Sequence, residues 1–210
     1  MTTLINGLSK VKMSAPFHSR RRFIKTGLAE MALLIVATIG FTPITNAGST
    51  YMKNSKTIVN ALVEALRSIG SPVCLAAALK LEADQSNRDN VYFHLRHAAL
   101  TTSDALIIAE ALKSLPRESH SALVSMSLSY NYAIGDTGAI AMAQSLPPTL
   151  HELGLVNCGI GDAGGEALLR WAKNATGLRI LCIEENNISE GIKLQLVDLM
   201  HRNAALLVVV

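Results

Sequence analysis

His94, Ser127 and Cys182 are the residues of this 210-residue chain that most suggest a nucleophile and its base. A serine or cysteine attacks a carbonyl only when a histidine within hydrogen-bond reach takes its proton. That histidine in turn needs an acid to orient it. All three residues hold the same place in short strand-like segments, where apolar residues flank them on both sides. Adjacent strands lie ~4.8 Å apart, so three strand intervals put His94 and Cys182 roughly 14 Å apart. His94 and Ser127 are neighbours, but no acid stands beside His94, and the pattern speaks against catalysis. His94 and His97 are only an i, i+3 pair where a strand enters a turn, and they lack metal-ligand spacing. The three cysteines, Cys74, Cys158 and Cys182, have no metal spacing either, and an odd number cannot form a closed disulfide framework. Gly161-x-x-Gly164-Gly165 reads as a turn rather than a phosphate loop, and Trp171 as a packing residue. No cofactor and no metal are expected.

The elements that carry these residues repeat. Leu150-x-x-Leu153-x-Leu155-x-x-Cys158-x-Ile160 recurs 28 residues later as Leu178-x-x-Leu181-x-Ile183-x-x-Asn186-x-Ile188. It occurs 27 residues earlier as Leu123-x-x-Met126-x-Leu128-x-x-Asn131, where one inserted residue delays Ile134. A degenerate copy, Phe93-x-Leu95-x-x-Ala98-x-Leu100, precedes these, and Leu206-x-x-Val209 begins another. The second half of each unit repeats as well. Ile134-Gly135-Asp136-Thr137-Gly138 and Ile160-Gly161-Asp162-Ala163-Gly164 are near copies, and Asp136 and Asp162 are expected to N-cap the helices that they begin. Ile108, Met142, Leu168 and Leu196 share one helix column; Leu112, Leu146, Ala172 and Met200 share another.

This pattern resembles leucine-rich repeats, and the 28-residue period resembles the ribonuclease-inhibitor-like type. The resemblance covers residues 91–210. It implies an α/β solenoid with a parallel sheet on the concave face and helices on the convex face. Each strand–helix unit buries its apolar face only against its neighbours. The asparagine column at Asn131 and Asn186 should satisfy backbone groups where the strand turns away, with Cys158 a buried, structural stand-in.

Residues between the inward leucines then point to the concave face. In strand order these are Tyr92, His94, Arg96 and His97; Ser125, Ser127, Ser129 and Tyr130; Glu152, Gly154, Val156 and Asn157; and Ile180, Cys182, Glu184 and Glu185. The surface runs from a cationic, histidine-rich end through hydroxyls to an acidic end. A peptide could satisfy that pattern. The candidate binding residues are Tyr92, His94, Arg96, Ser127, Ser129, Tyr130, Asn157, Glu184 and Glu185.

Residues 48–90 lack the motif. Ile58-Val59-x-x-Leu62-Val63-x-x-Leu66 has helical spacing, Gly70-Ser71-Pro72 interrupts it, and a second helix is expected over Val73–Ala83. The segment reads as a helical N-terminal cap on the solenoid. At the other end Leu206–Val210 is an apolar edge strand, which invites pairing with a second copy of the chain.

The net charge of +3 hides an uneven split. Residues 1–47 carry six basic residues against Glu30, a net of +5, and the rest carries 13 basic against 15 acidic, a net of −2. The folded part therefore offers no basic face for nucleic acid. Ser19-Arg20-Arg21-Arg22-Phe23-Ile24-Lys25 precedes an apolar run over Gly27–Phe41 and the small residues Thr45-Asn46-Ala47. That order matches an export signal cleaved near Ala47. Its 15 residues, apolar but for Glu30, would span only ~22 Å as a helix, too short for a bilayer. The Arg20, Arg21, Phe23 and Lys25 positions resemble the bacterial twin-arginine (Tat) signal, with Ile24 in place of leucine. The resemblance implies carriage by the Tat translocase in the folded state, and a periplasmic or secreted location. An ordinary secretory signal or an uncleaved anchor are the alternatives.

Together these features describe an exported, non-enzymatic leucine-rich-repeat module that binds a protein or peptide. Two alternatives are a secreted effector acting on a host protein and, more remotely, an enzyme that acquires a cofactor before export. Arg20→Lys with Arg21→Lys separates the export routes. A Tat passenger is trimmed near Ala47 and recovered in the periplasm, whereas the variant stays full-length inside. Equal trimming of both chains in a fractionation with mass analysis would overturn the Tat reading.

Overall fold

The computed structural model describes residues 47–84 and 89–210, the first seven as backbone only. Arg20, Arg21, Phe23 and Lys25 lie outside the described residues, and Ala47 is the first residue of a helix. That helix, α1 (Ala47–Ile69), buries Ile58, Val59, Leu62, Val63 and Leu66 along one stripe. Gly70, at φ +71°, ends it and donates its N–H to the Leu66 carbonyl. Helix α2 (Pro72–Asp84) starts with proline in its first turn, and the Ser71 hydroxyl accepts the Cys74 N–H. It packs on α1, where Arg67 bridges Glu64 and Glu82 at 3.1 and 2.8 Å. Helix α1 also rests on the first repeat, against α3 and β1.

The repeats follow as β1 (Val91–His94), α3 (Thr102–Lys113), β2 (Leu123–Ser127), α4 (Gly135–Ser145), β3 (Glu152–Gly154), α5 (Asp162–Ala172), β4 (Ile180–Cys182), α6 (Glu190–Arg202) and β5 (Leu207–Val209). All neighbouring strands are parallel and lie in chain order. The architecture is the expected α/β leucine-rich-repeat solenoid. Register aligns Phe93, Met126, Leu153, Leu181 and Val208 in one row. Those side chains are buried against the helix layer, as are the columns Ile108–Met142–Leu168–Leu196 and Leu112–Leu146–Ala172. Met200 is partly buried at the end of the second. Trp171 is a packing residue whose indole N–H donates to the Leu146 carbonyl at 3.2 Å.

The residue inserted before Ile134 is absorbed as a 3-10 turn over Tyr132–Ile134. That turn presses the Tyr132 carbonyl onto Gly159, where any Cβ would collide with it.

The asparagine column joins consecutive repeats. Asn131 Oδ1 accepts the N–H groups of Ala98 and Leu100 at 2.9 and 3.0 Å. Its Nδ2 donates to the carbonyls of Leu95 and Leu128 at 2.8 and 2.7 Å. Asn186 repeats the arrangement on Cys158, Ile160, Leu155 and Ile183. Cys158, between them, is fully buried, and its thiol donates to the Leu128 carbonyl at 3.2 Å.

The helix caps differ from expectation. Asp136 and Asp162 do not cap their own helices. Asp136 Oδ1 accepts the Gly161 and Gly164 N–H groups at 2.7 and 2.8 Å, at the start of α5. Asp162 Oδ1 accepts the N–H of Ser189, the residue before α6. Each aspartate sits inside the first turn of its helix, past the position from which a carboxylate could turn back, so it reaches the next repeat. A Cβ on Gly164 would lie 2.8 Å from the Asp136 carboxylate. Thr102, in the same column, donates to the Ala133 and Ile134 carbonyls of the following repeat. Helix α3 has its own capping box, Thr101 with Asp104.

Asn131→Ala leaves four buried backbone groups unpaired and should cost roughly 3 kcal/mol or more. Asp136→Ala removes only a cap, for about 1–2 kcal/mol. Urea midpoints with equal slopes report both; equal losses would contradict the ladder's weight.

Candidate functional site

The strands order the outward side chains into four rows. The first is Tyr92, Ser125, Glu152, Ile180 and Leu207, and the second His94, Ser127, Gly154, Cys182 and Val209. Arg96, Ser129, Val156 and Glu184 follow them in sequence as a third row, and His97, Tyr130, Asn157 and Glu185 as a fourth. The fourth row closes each strand in the left-handed region, with φ of 53°, 63°, 49° and 61°. No residue in it is glycine, so the chain accepts a strained turn and gains a side chain at each step.

Tyr92, His94, Arg96, His97, Glu152 and Glu185 are exposed; Ser127, Tyr130, Asn157, Cys182 and Glu184 are half-buried. Ser129 is not open to a ligand. It is 2% exposed, accepts the Val156 N–H and receives the Ser127 hydroxyl, each at 3.2 Å. Gly154 makes this packing possible, because a Cβ there would lie 2.9 Å from Ser127 Oγ. Val156 is likewise buried.

His94 and Ser127 are strand neighbours as expected, but the histidine's hydrogen bond goes to another serine. His94 Nε2 lies 2.8 Å from Ser125 Oγ, one step before Ser127 on the same strand. Ser125 is only 2% exposed, so the ring seats on the hydroxyl and leaves little approach to it. His94 and Cys182 occupy one row three strand intervals apart, as expected. His97 stacks on Tyr130, with ring centroids 4.3 Å apart and planes 6° from parallel. The Arg96 guanidinium carbon sits 5.3 Å from the centroid of the same Tyr130 ring. The three side chains form one aromatic and cationic cluster, and the column that His97 shares with Tyr130 was its sequence signal.

The Cys182 thiol feels charges from both ends of the face. Burial raises the Cys182 thiol pKa above its ordinary value. Glu184 and Glu152 raise it further, and Arg96, from the first repeat, lowers it. Glu184 holds one carboxylate oxygen, Oε2, buried without a hydrogen-bond partner. Among the described residues no group of three or more His, Cys, Asp or Glu gathers as a metal site.

Cys158 contrasts with Cys182. Burial pushes its thiol up to about 11, against smaller opposing effects from the Asn131 and Tyr130 N–H groups. A pKa raised in the folded state stabilises the fold below the free thiol value of about 8.5, and that contribution is lost as pH climbs toward 11.

A family model described as Leucine Rich repeat matches residues 147–169, which span β3 and most of α5. None of the curated proteins matches the chain.

A thiol-alkylating reagent should label Cys182 in the native protein and reach Cys74 and Cys158 only on unfolding. The rate at Cys182 should rise with a midpoint above that of a free thiol. Glu184→Gln removes a negative neighbour and should move the midpoint down. An unmoved midpoint in the pH–rate profile would show that Glu184 does not act on the thiol.

Proposed function

We propose that this chain is an exported leucine-rich-repeat module that holds a protein or peptide on the open face of its sheet and does no chemistry of its own. One observation carries the reading: a single sheet face displays aromatic, cationic and acidic side chains in register, each held by its own repeat. Tyr92, Arg96 and Tyr130 offer the flat and guanidinium-bearing surfaces that protein interfaces favour. Glu184 and Glu185 supply the opposite charge three strands along from Arg96. The leucine-rich repeat supports a protein-binding role. Within this reading the exposed contacts are Tyr92, His94, Arg96, Tyr130, Asn157, Glu184 and Glu185, with Ser127 in the floor. The twin arginines Arg20 and Arg21 support delivery by the Tat translocase to the periplasm or beyond.

Arg96→Ala combined with Glu184→Ala tests the face. The immobilised native chain should capture a partner from periplasmic extract, and the double variant should lose it while its far-UV circular dichroism is unchanged. Unaltered capture would place the interface elsewhere.

A further inference from the structure

The first two repeats set a cation on the open face without an acid to hold it. Residues 91–99 carry His94, Arg96 and His97 and no acid, and residues 123–131 carry no charged side chain at all. Arg96 and His97 are exposed, and both lie against the half-buried Tyr130 ring. The ring attracts the guanidinium through its π face, which leaves the donors of the fork free to meet an acceptor. Among the described residues no ion pair engages Arg96. The two ring-bearing residues are fixed from behind. The His97 N–H donates to the Ser129 carbonyl at 3.2 Å, and the Tyr130 N–H to the Val156 carbonyl at 2.7 Å. A guanidinium that rests on a fixed ring and has no counter-ion is preorganised for an anion, because less freedom is lost when one arrives.

We propose that Arg96, set on the Tyr130–His97 stack, is a subsite for an acidic side chain of the bound protein or peptide, whose carboxylate accepts from the guanidinium. This assignment rests on the open-face reading and deepens it. The planar fork presents parallel N–H donors that match the two oxygens of a carboxylate. The His97 ring, exposed on the same stack, offers one donor more. Ser129 and Val156, the next two residues of the Arg96 row, are buried and uncharged. An incoming carboxylate therefore meets no like charge within that row before Glu184, three strands along. Tyr130 is a positioning residue, which holds the guanidinium and leaves the hydrogen bonds to Arg96.

The test uses the full chain, labelled with nitrogen-15, and three probes. These are acetyl-Gly-Glu-Gly-amide, the neutral peptide in which glutamine replaces glutamate, and that glutamine peptide with a free C-terminal carboxylate. The Arg96 Nε–H signal, identified by its loss in Arg96→Lys, reports on the guanidinium directly. The glutamate peptide should move it saturably, and the neutral peptide should not. Arg96→Gln, followed through the His97 amide signal, should weaken the glutamate peptide about tenfold or more. Tyr130→Asn suits the left-handed backbone but removes the ring, and should weaken binding about threefold. Tyr130→Phe keeps the ring and should bind as the native chain does. Lys173→Gln, exposed at the end of α5, controls for net charge and should change nothing. Equal shifts from the glutamate and neutral peptides, or undiminished binding in Arg96→Gln, overturn the proposal. Tighter binding of the free C-terminus overturns it too, by putting a chain end in place of the side chain. Partner capture by the native chain reads the open face independently, so failure of the subsite and failure of the face are distinguishable.

Discussion

The fold depends on a side-chain amide doing the work of a peptide group. Where each strand ends, the backbone leaves the sheet and exposes N–H and C=O groups that no strand neighbour can meet. Buried in that state they would cost more than the local apolar contacts return. Asn131 and Asn186 satisfy them with two accepted and two strong donated bonds each. The amide is short and carries both donors and acceptors, so it fits a turn that a longer or purely donating group would not. Cys158 shows the tolerance of the position: a thiol covers the Leu128 carbonyl in a site sealed by its neighbours. Everything on the outward face inherits its register from this ladder.

Much of this was legible in the sequence. The period located the strands, the leucine columns located the core, and the asparagine column announced its own role. Ile58 to Leu66 marked the first helix, and Pro72 opened the second one residue before the expected start. What periodicity could not show is the neighbour toward which a side chain leans. Asp136 and Asp162 occupy equivalent places, which reveals a shared task but not that the task belongs to the next helix. Ser125 and Ser129 look like free hydroxyls in an alternating pattern, yet His94 covers one and the Val156 N–H engages the other. Arg96 is long enough to cross strands, so its position in the row says little about where its charge is felt.

The fourth row shows how the scaffold trades backbone comfort for surface chemistry. Left-handed residues other than glycine cost about 1 kcal/mol or more each. The chain nonetheless keeps histidine, tyrosine, asparagine and glutamate there. The His97–Tyr130 stack and the overlying Arg96 recover part of that cost and stiffen one end of the face. A rigid aromatic platform loses little freedom on meeting a partner, which helps an interface made of few side chains.

The Thr102, Asp136 and Asp162 column has a consequence for how the chain assembles. These side chains act forward, on the repeat made next by the ribosome, while Asn131 and Asn186 act backward, on the repeat already made. A nascent unit therefore meets a waiting helix cap but leaves its own strand end unsatisfied until its successor emerges. Growth of the array is self-proofreading in that sense, because each addition settles the unit before it and prepares the place of the unit after it. No single repeat can complete itself, and the array is bound to gain or lose structure in linked steps rather than one independent unit at a time.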